Sequence, residues 1–186
     1  MKIKLLLLLA ILLSASTFSR AQYMLMTAEA EKQGKFKGES NRAGATAKME
    51  VLGFDYEVKS SRDAGTGQAS GRRQHVPITI WKISGATSPQ FFQALTTNET
   101  IKNLTIEFYK PDDVFKTSPE QLYYKIELTN AFITDFRQVM NGPETDRFKT
   151  TGATNLYDGI RIVFEKITVT NIKANTAGTD SWKSAL

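Results

Sequence analysis

The sequence predicts an all-β domain carrying one short helix. Three observations lead there: apolar residues recur at every second position in several stretches, only one segment has helical spacing, and glycine-rich polar stretches separate the rest. The 186 residues suit one ordinary domain with an appendage. Leu52, Phe54, Tyr56 and Val58 alternate with Val51, Gly53, Asp55 and Glu57, so the second set is expected on the opposite face. A strand is expected over 76–83, with His75 at its start. Leu104, Ile106 and Phe108 alternate with polar neighbours, as do Leu122, Tyr124, Ile126 and Leu128. After Thr129 the apolar phase slips through Ala131, Ile133 and Phe136. Ile160, Ile162 and Phe164 give way to Ile167 and Val169, a second slip near Glu165-Lys166 of the kind a β-bulge produces. Repeated bends of this sort favour a closed or strongly coiled antiparallel barrel over a flat sheet.

The helix is expected from Ser88, read as the N-cap, with Pro89 at the first helical position. Phe91, Phe92 and Leu95 form its apolar side, and Thr96, Thr97 and Asn98 end it. So short a helix forms only when docked on the sheet. The long connection 60–74 carries Gly65, Gly67 and Gly71 with Arg62, Arg72 and Arg73. Connections of that length in compact domains are functional or disordered. A second flexible connection is expected over 141–155, and a polar C-terminal tail over 176–186.

The first 21 residues form a separate object. A basic start (Lys2, Lys4), an apolar run from Leu5 to Leu13 and a small polar stretch have the three-part pattern of a secretory signal peptide. The run is too short to span a bilayer, which takes about 20 residues. Cleavage is expected between Ala21 and Gln22, with no stable membrane insertion afterwards. Removing Lys2, Lys4 and Arg20 lowers the net charge from +5 to +2, over 165 residues. The basic-protein argument for nucleic acid weakens accordingly, and no nucleic-acid partner is expected. The domain boundaries are therefore a signal peptide at 1–21, a β-domain at 22–175 and a tail at 176–186.

The chain contains no cysteine and one histidine, which excludes disulfides, thiolate metal sites and multi-histidine metal sites built within it. His75 lies beside Arg72 and Arg73 with no serine-and-acid pattern around it, so a loop or interface role is favoured over a triad. Pro111-Asp112-Asp113 reads first as a turn. Asp146 and Asp158 are placed in loops without calcium-ligand spacing. Gly65-Thr66-Gly67 precedes a strand, not a helix, and so is no phosphate loop. Asn98-Glu99-Thr100 and Asn103-Leu104-Thr105 are formal glycosylation sequons. No metal, cofactor or catalytic residue is assigned, and the chain is not expected to be an enzyme. The Gly71–His75 stretch is the strongest basic cluster, and arginine with glycine suits a protein–protein contact.

Several stretches together resemble the Hcp family, the tube protein of type VI secretion systems. They are Gly38-Glu39-Ser40 as an early turn, Val51 to Tyr56 as a strand, Gly71 to Lys82, Ser88-Pro89 opening a helix, Ile101 to Tyr109, and Ile160 to Ile167. The resemblance covers roughly Tyr23 to Ile172. It implies a β-barrel protomer with the short helix packed outside, assembling into a homohexameric ring. Rings would stack into the inner tube, driven out through a contractile sheath, capped by a spike, and able to carry small effector proteins. By the same resemblance Arg62, Gly71, Arg72, Arg73 and His75 belong to the ring-stacking loop, and Asp55 and Glu57 face the lumen. Family members typically carry no signal peptide. The leader therefore implies a secreted or periplasmic copy, or else a start near Met24 or Met26 with cytoplasmic assembly before secretion. The alternative function is a secreted small-ligand or carbohydrate-binding β-barrel, with Asp55, Glu57 and Trp81 as contacts.

Overall fold

A computed structural model describes residues 22–111, 120–140, 142–148 and 155–181. The signal segment with Ala21, the Asp112-Asp113 pair and Trp182 lie outside the described residues. Among the described residues, eleven strands and one α-helix follow in order: β1 (Tyr23–Ala30), β2 (Gly34–Lys35), β3 (Met49–Val51), β4 (Gly53–Asp55), β5 (Val58–Lys59), β6 (Gln74–His75), β7 (Ile78–Ile83), α1 (Ser88–Thr96), β8 (Ile101–Lys110), β9 (Gln121–Val139), β10 (Tyr157–Asn171) and β11 (Thr176–Ser181). All pairings are antiparallel. The main sheet runs β2-β1-β8-β9-β10-β7-β4, with β3 beside β1 and β11 beside β10.

The all-β fold with one helix stands, but the closed barrel does not: among the described residues no ladder joins the two ends of this path. Closure is interrupted at Leu52. Met49–Val51 pairs with β1, whereas Gly53–Asp55 pairs with β7. Between them the Leu52 N–H donates to the Trp81 carbonyl at 2.8 Å. One seven-residue stretch thus reaches both ends of the sheet, which therefore curls back on itself. The sequence alternation placed Val51 opposite Phe54 and Tyr56. In the structure Met49 and Val51 lie in the core, and Phe54 and Tyr56 pack against it after a phase change at Leu52.

The slips on β9 and β10 are instructive. Phe164 pairs with Ala131 and Lys166 with Thr129, so register is unchanged across the row between them. Both strands change phase there together, Asn130 adopting φ 50° and donating from Nδ2 to Glu165 Oε2 at 2.9 Å. The one-sided register shift lies instead between Arg161 and Ile162, where Thr134 is the extra residue.

One apolar cluster, including Met26, Ile78, Ile80, Leu104, Ile106, Leu128, Ile160 and Ile162, fills the inner side of the sheet. The helix joins it through Phe91 and Ala94, and Phe91 meets Phe36 edge-on at 4.9 Å. Its N-cap is Thr87, one residue before the expected Ser88. Ser88 Oγ is taken up by Asp158 and by the Gly85 N–H.

Two connections hold more order than their composition implies. Pro143–Phe148 forms a 3-10 turn inside the second connection. Its Phe148 covers Trp81, at 6.4 Å between ring centroids. A Cβ on Gly53 would lie 2.5 Å from the Phe148 ring, and one on Gly159 would lie 2.7 Å from Trp81. Those two glycines leave room for the aromatic cover. The expected tail is in fact β11 over Thr176–Ser181, laid along Lys166–Asn171 of β10. Its turn is closed by Asn171 Oδ1, which accepts the Ala174 N–H, and by Asn175 at φ 50°.

Candidate functional site

Three groups of the singled-out residues have defined surroundings. The first is the turn Gly38-Glu39-Ser40. Its backbone lies against another segment so closely that a Cβ on Gly38 would sit 1.9 Å from the Thr46 carbonyl oxygen. The Glu39 and Ser40 N–H groups both donate to the Lys48 carbonyl at 3.0 Å. Ser40 Oγ donates to Glu50 at 2.9 Å. Glu39 accepts from the Thr87 hydroxyl at 2.9 Å and pairs with Lys82 at 2.7 Å.

Lys82 is 1% exposed and Asp158 is fully buried. They face each other across β7 and β10, with Gln138 next in the row on β9. The Lys82 ammonium lies 3.3 Å from Asp158 and donates to the Ile83 carbonyl at 2.6 Å. Asp158 also accepts from Ser84, Ser88 and, at 3.0 Å, Gln138. Asp158 is therefore a strand residue in a buried network and not the loop acid expected from sequence. Among the described residues no buried side-chain polar atom lacks a partner. The network ends the core and ties the start of α1 to the sheet, with each charge compensated.

The second group is the long connection. β5 and β6 form a small separate sheet, Val58 with His75 and Lys59 with Gln74, continuing the β4–β7 hairpin as an arm. The loop beyond it is self-organised. Asp63 accepts from the Gly65 and Thr66 N–H groups and from the Thr66 hydroxyl, which together hold its carboxyl below the ordinary value. Arg62 bridges to Ala69 and donates to the Gly67 carbonyl at 3.0 Å. Gly71 is exposed and lies over Ser61, and Arg72 is exposed with no partner among the described residues.

At the base of the arm, Arg73 donates through Nε and Nη2 to the two carboxylate oxygens of Asp180 on β11, and to the Ser181 carbonyl at 3.3 Å. His75 Nε2 donates to the same carboxylate at 2.8 Å, and its Nδ1 lies 2.8 Å from the Tyr56 hydroxyl. The ring is stacked on Tyr56 and met edge-on by Phe164 at 5.2 Å. The paired Arg73 guanidinium, assisted by His75 and opposed by burial, lowers the Asp180 carboxyl from 3.8 to about 2. Burial first, and then the Asp180 charge, push the Tyr56 hydroxyl up.

Hydroxyl, imidazole and carboxylate stand here in the order of a triad. The chemistry differs: a Tyr56 hydroxyl held more firmly protonated is a poor nucleophile, and the His75 side chain is only 7% exposed between two rings. The arrangement is a clasp. Because the folded-state value of Asp180 is depressed, its stabilisation is present above about pH 4 and is lost as pH falls toward 2. Amide exchange along β11 is therefore expected to rise on acidification through that window. Asp180→Asn should abolish the pH step, and an identical step in that variant would contradict the assignment.

The third group is the face opposite the core. Asp55 pairs with Thr79, Thr79 with Arg161, and Arg161 with Asp135, so the four residues form one row across β4, β7, β10 and β9. Arg137, which pairs with Glu144, adds to this charged surface. Glu57 lies beyond it, exposed and 3.2 Å from Lys59. Trp81 borders a small hollow of about 170 Å³, together with Asp135, Arg137 and Arg161. A larger cleft of about 380 Å³ lies near Tyr23, Arg42 and Tyr109, and none of Asp55, Glu57 and Trp81 lines it. The ligand contacts expected of a small-molecule barrel are thus not gathered in one pocket.

Asp180, Lys82, Asp135 and Arg161 were missed in the sequence. Arg161 carried a signal, since it alternates with Ile160 and Ile162. Asp180 carried none, lying in a stretch without apolar alternation.

Comparison with known proteins gives a consistent result. Residues 24–171 match the family model described as "Type VI secretion system effector, Hcp". The chain is 31% identical over 150 residues to the "Major exported protein" of Pseudomonas aeruginosa PAO1, covering 79% of this chain and 82% of that protein. Among solved structures, the fold is similar to a crystal structure of an Hcp protein, with TM-score 0.75 at 19% identity, covering 87% of this chain and all of that one. It is also similar to the Hcp1 protein of E. coli EAEC 042, with TM-score 0.73 at 23% identity, covering 87% and 99% of the two chains.

Proposed function

The chain belongs to the Hcp family, the tube protein of type VI secretion, and from that premise we propose that it works as a homohexameric ring whose copies stack into a tube. The observation that carries this reading is the match over residues 24–171, which takes in every strand from β2 to β10 and most of β1. In the ring the kinked stretch Met49–Asp55 links the two ends of each protomer's curled sheet, and neighbouring protomers cover the edges that a lone sheet leaves open. The arm with Arg62, Gly71, Arg72, Arg73 and His75 reaches the next ring. Arg72, exposed at its base, makes the outward contact, whereas Arg62 and Arg73 shape the loop from within.

Asp55 and Glu57 face the lumen, and the row Asp55–Thr79–Arg161–Asp135 offers both charge signs to small effector cargo. The spike and the contractile sheath are the machine partners. The protein is exported, as the name of its Pseudomonas relative says of that protein. Its leader is removed between Ala21 and Gln22, giving a secreted or periplasmic product.

Negative-stain microscopy of the purified protein tests the reading. Rings with six-fold symmetry, and end-on stacks of them at high concentration, are expected. A field of separate globular particles at every concentration would overturn it. N-terminal sequencing is expected to begin at Gln22, and an intact Met1 would overturn the cleavage.

A further inference from the structure

Among the described residues no ladder ties the arm β5–β6 to the main sheet. Along the edge of β10, β7 occupies Tyr157–Ile162 and β11 occupies Lys166–Asn171, so the arm departs where β7 stops and β11 takes its place. The chain itself carries the arm on from β4 and back into β7, with the Val76 N–H on the Glu57 carbonyl at 2.9 Å, and side chains tie the arm to β11. Two of them, Arg73 and His75, converge on one carboxylate, that of Asp180. A guanidinium that donates through two N–H groups to the two oxygens of one carboxylate fixes direction as well as distance, which a single hydrogen bond does not. The imidazole is further fixed between Tyr56 and Phe164. The tip of the loop is organised by its own contacts, around Asp63 and Arg62.

We propose that Asp180 is a positioning residue for assembly: through Arg73 and His75, the C-terminal strand β11 sets the direction of the 60–74 loop and so presents Arg72 to the next ring. The proposal rests on the reading that this loop meets a neighbouring ring. Asp180 acts through the arm of its own chain. Its effect is to spare the loop the ordering cost that a free arm would meet on stacking.

The test compares the full protein with Asp180→Asn, Asp180→Glu, Arg73→Lys and Arg72→Ala, by amide exchange and by light scattering across a concentration series. In Asp180→Asn, exchange over residues 58–75 is expected to rise about tenfold while β1, β8 and β9 keep their protection. The concentration at which rings stack should rise by about the same factor. Asp180→Glu should keep both close to the wild-type values, and Arg73→Lys, which keeps the charge but loses the two-point grip, should fall between. Arg72→Ala should weaken stacking and leave exchange unchanged. Unchanged exchange in both Asp180→Asn and Arg73→Lys overturns the clasp. A loosened arm with unchanged stacking overturns the positioning role. Wild-type protein that never stacks overturns the stacking reading and the positioning role with it, while the exchange result still decides whether the clasp exists. Should Asp180→Asn fail to fold, Arg73→Lys carries the same comparison.

Discussion

Asp158→Ala is expected to destabilise the protein by about 3–5 kcal/mol, the usual cost of removing one partner from a buried ion pair. Asp158 is fully buried and serves four groups at once: the Lys82 ammonium, the Ser84 and Ser88 hydroxyls and the Gln138 amide. Without it Lys82 keeps Glu39, at 2.7 Å, and the Ile83 carbonyl. One buried cation then has half its compensation, and three donors lose an acceptor. Because Ser88 opens α1, the helix should loosen before the sheet does. Asp158→Asn retains an acceptor but not the charge and should cost less, about 1–3 kcal/mol. Urea unfolding of the three proteins checks the order. A cost below 1 kcal/mol for Asp158→Ala would mean that the network does not stabilise the fold.

Gly38→Ala is the second large effect. The added methyl would meet Thr46 O at 1.9 Å and the Ala47 Cα at 2.3 Å, and both obstacles are backbone. Two hydrogen bonds to the Lys48 carbonyl hold the segments together just beyond. The turn must move, and Glu39 moves with it, away from Lys82 and Thr87. Overpacking of this kind costs about 1–3 kcal/mol, and the lost contacts of Glu39 add to it. Gly34→Ala is the natural comparison. Gly34 has φ +70° but open space around the Cβ position, so only backbone strain of about 1–2 kcal/mol is expected. Denaturation midpoints should therefore fall further for Gly38→Ala than for Gly34→Ala, and the reverse order would contradict the packing account.

The strands that alternate cleanly, β8 and most of β9 and β10, are legible in the sequence because each buries one face. So is the helix, whose Pro89 and closing Asn98 mark its ends. What was not legible depends on partners far along the chain. Leu52 looks like one more apolar residue in a single strand. Its role as the break between β3 and β4 comes from β1 and β7 competing for either side of it. Strand β11 has the sequence Thr-Ala-Gly-Thr-Asp-Ser, with no apolar stripe, and is held by its ladder to β10 and by Asp180. The same reason hid the clasp: Arg73 and Asp180 are 107 positions apart. The arginine-bearing loop was visible through its glycines. The division of labour within it, Arg62 and Arg73 turned inward and Arg72 outward, was not. Lys82 and Asp158 were hidden because each reads as an ordinary charged residue until the register sets them opposite one another.

The central claim is that this chain acts as a ring and not as a lone β-domain. Light scattering coupled to size exclusion tests it most directly, on the purified protein at several loading concentrations. The account predicts a species of six times the protomer mass, with larger stacks as concentration rises. A mass of one protomer that persists across the whole range would contradict it.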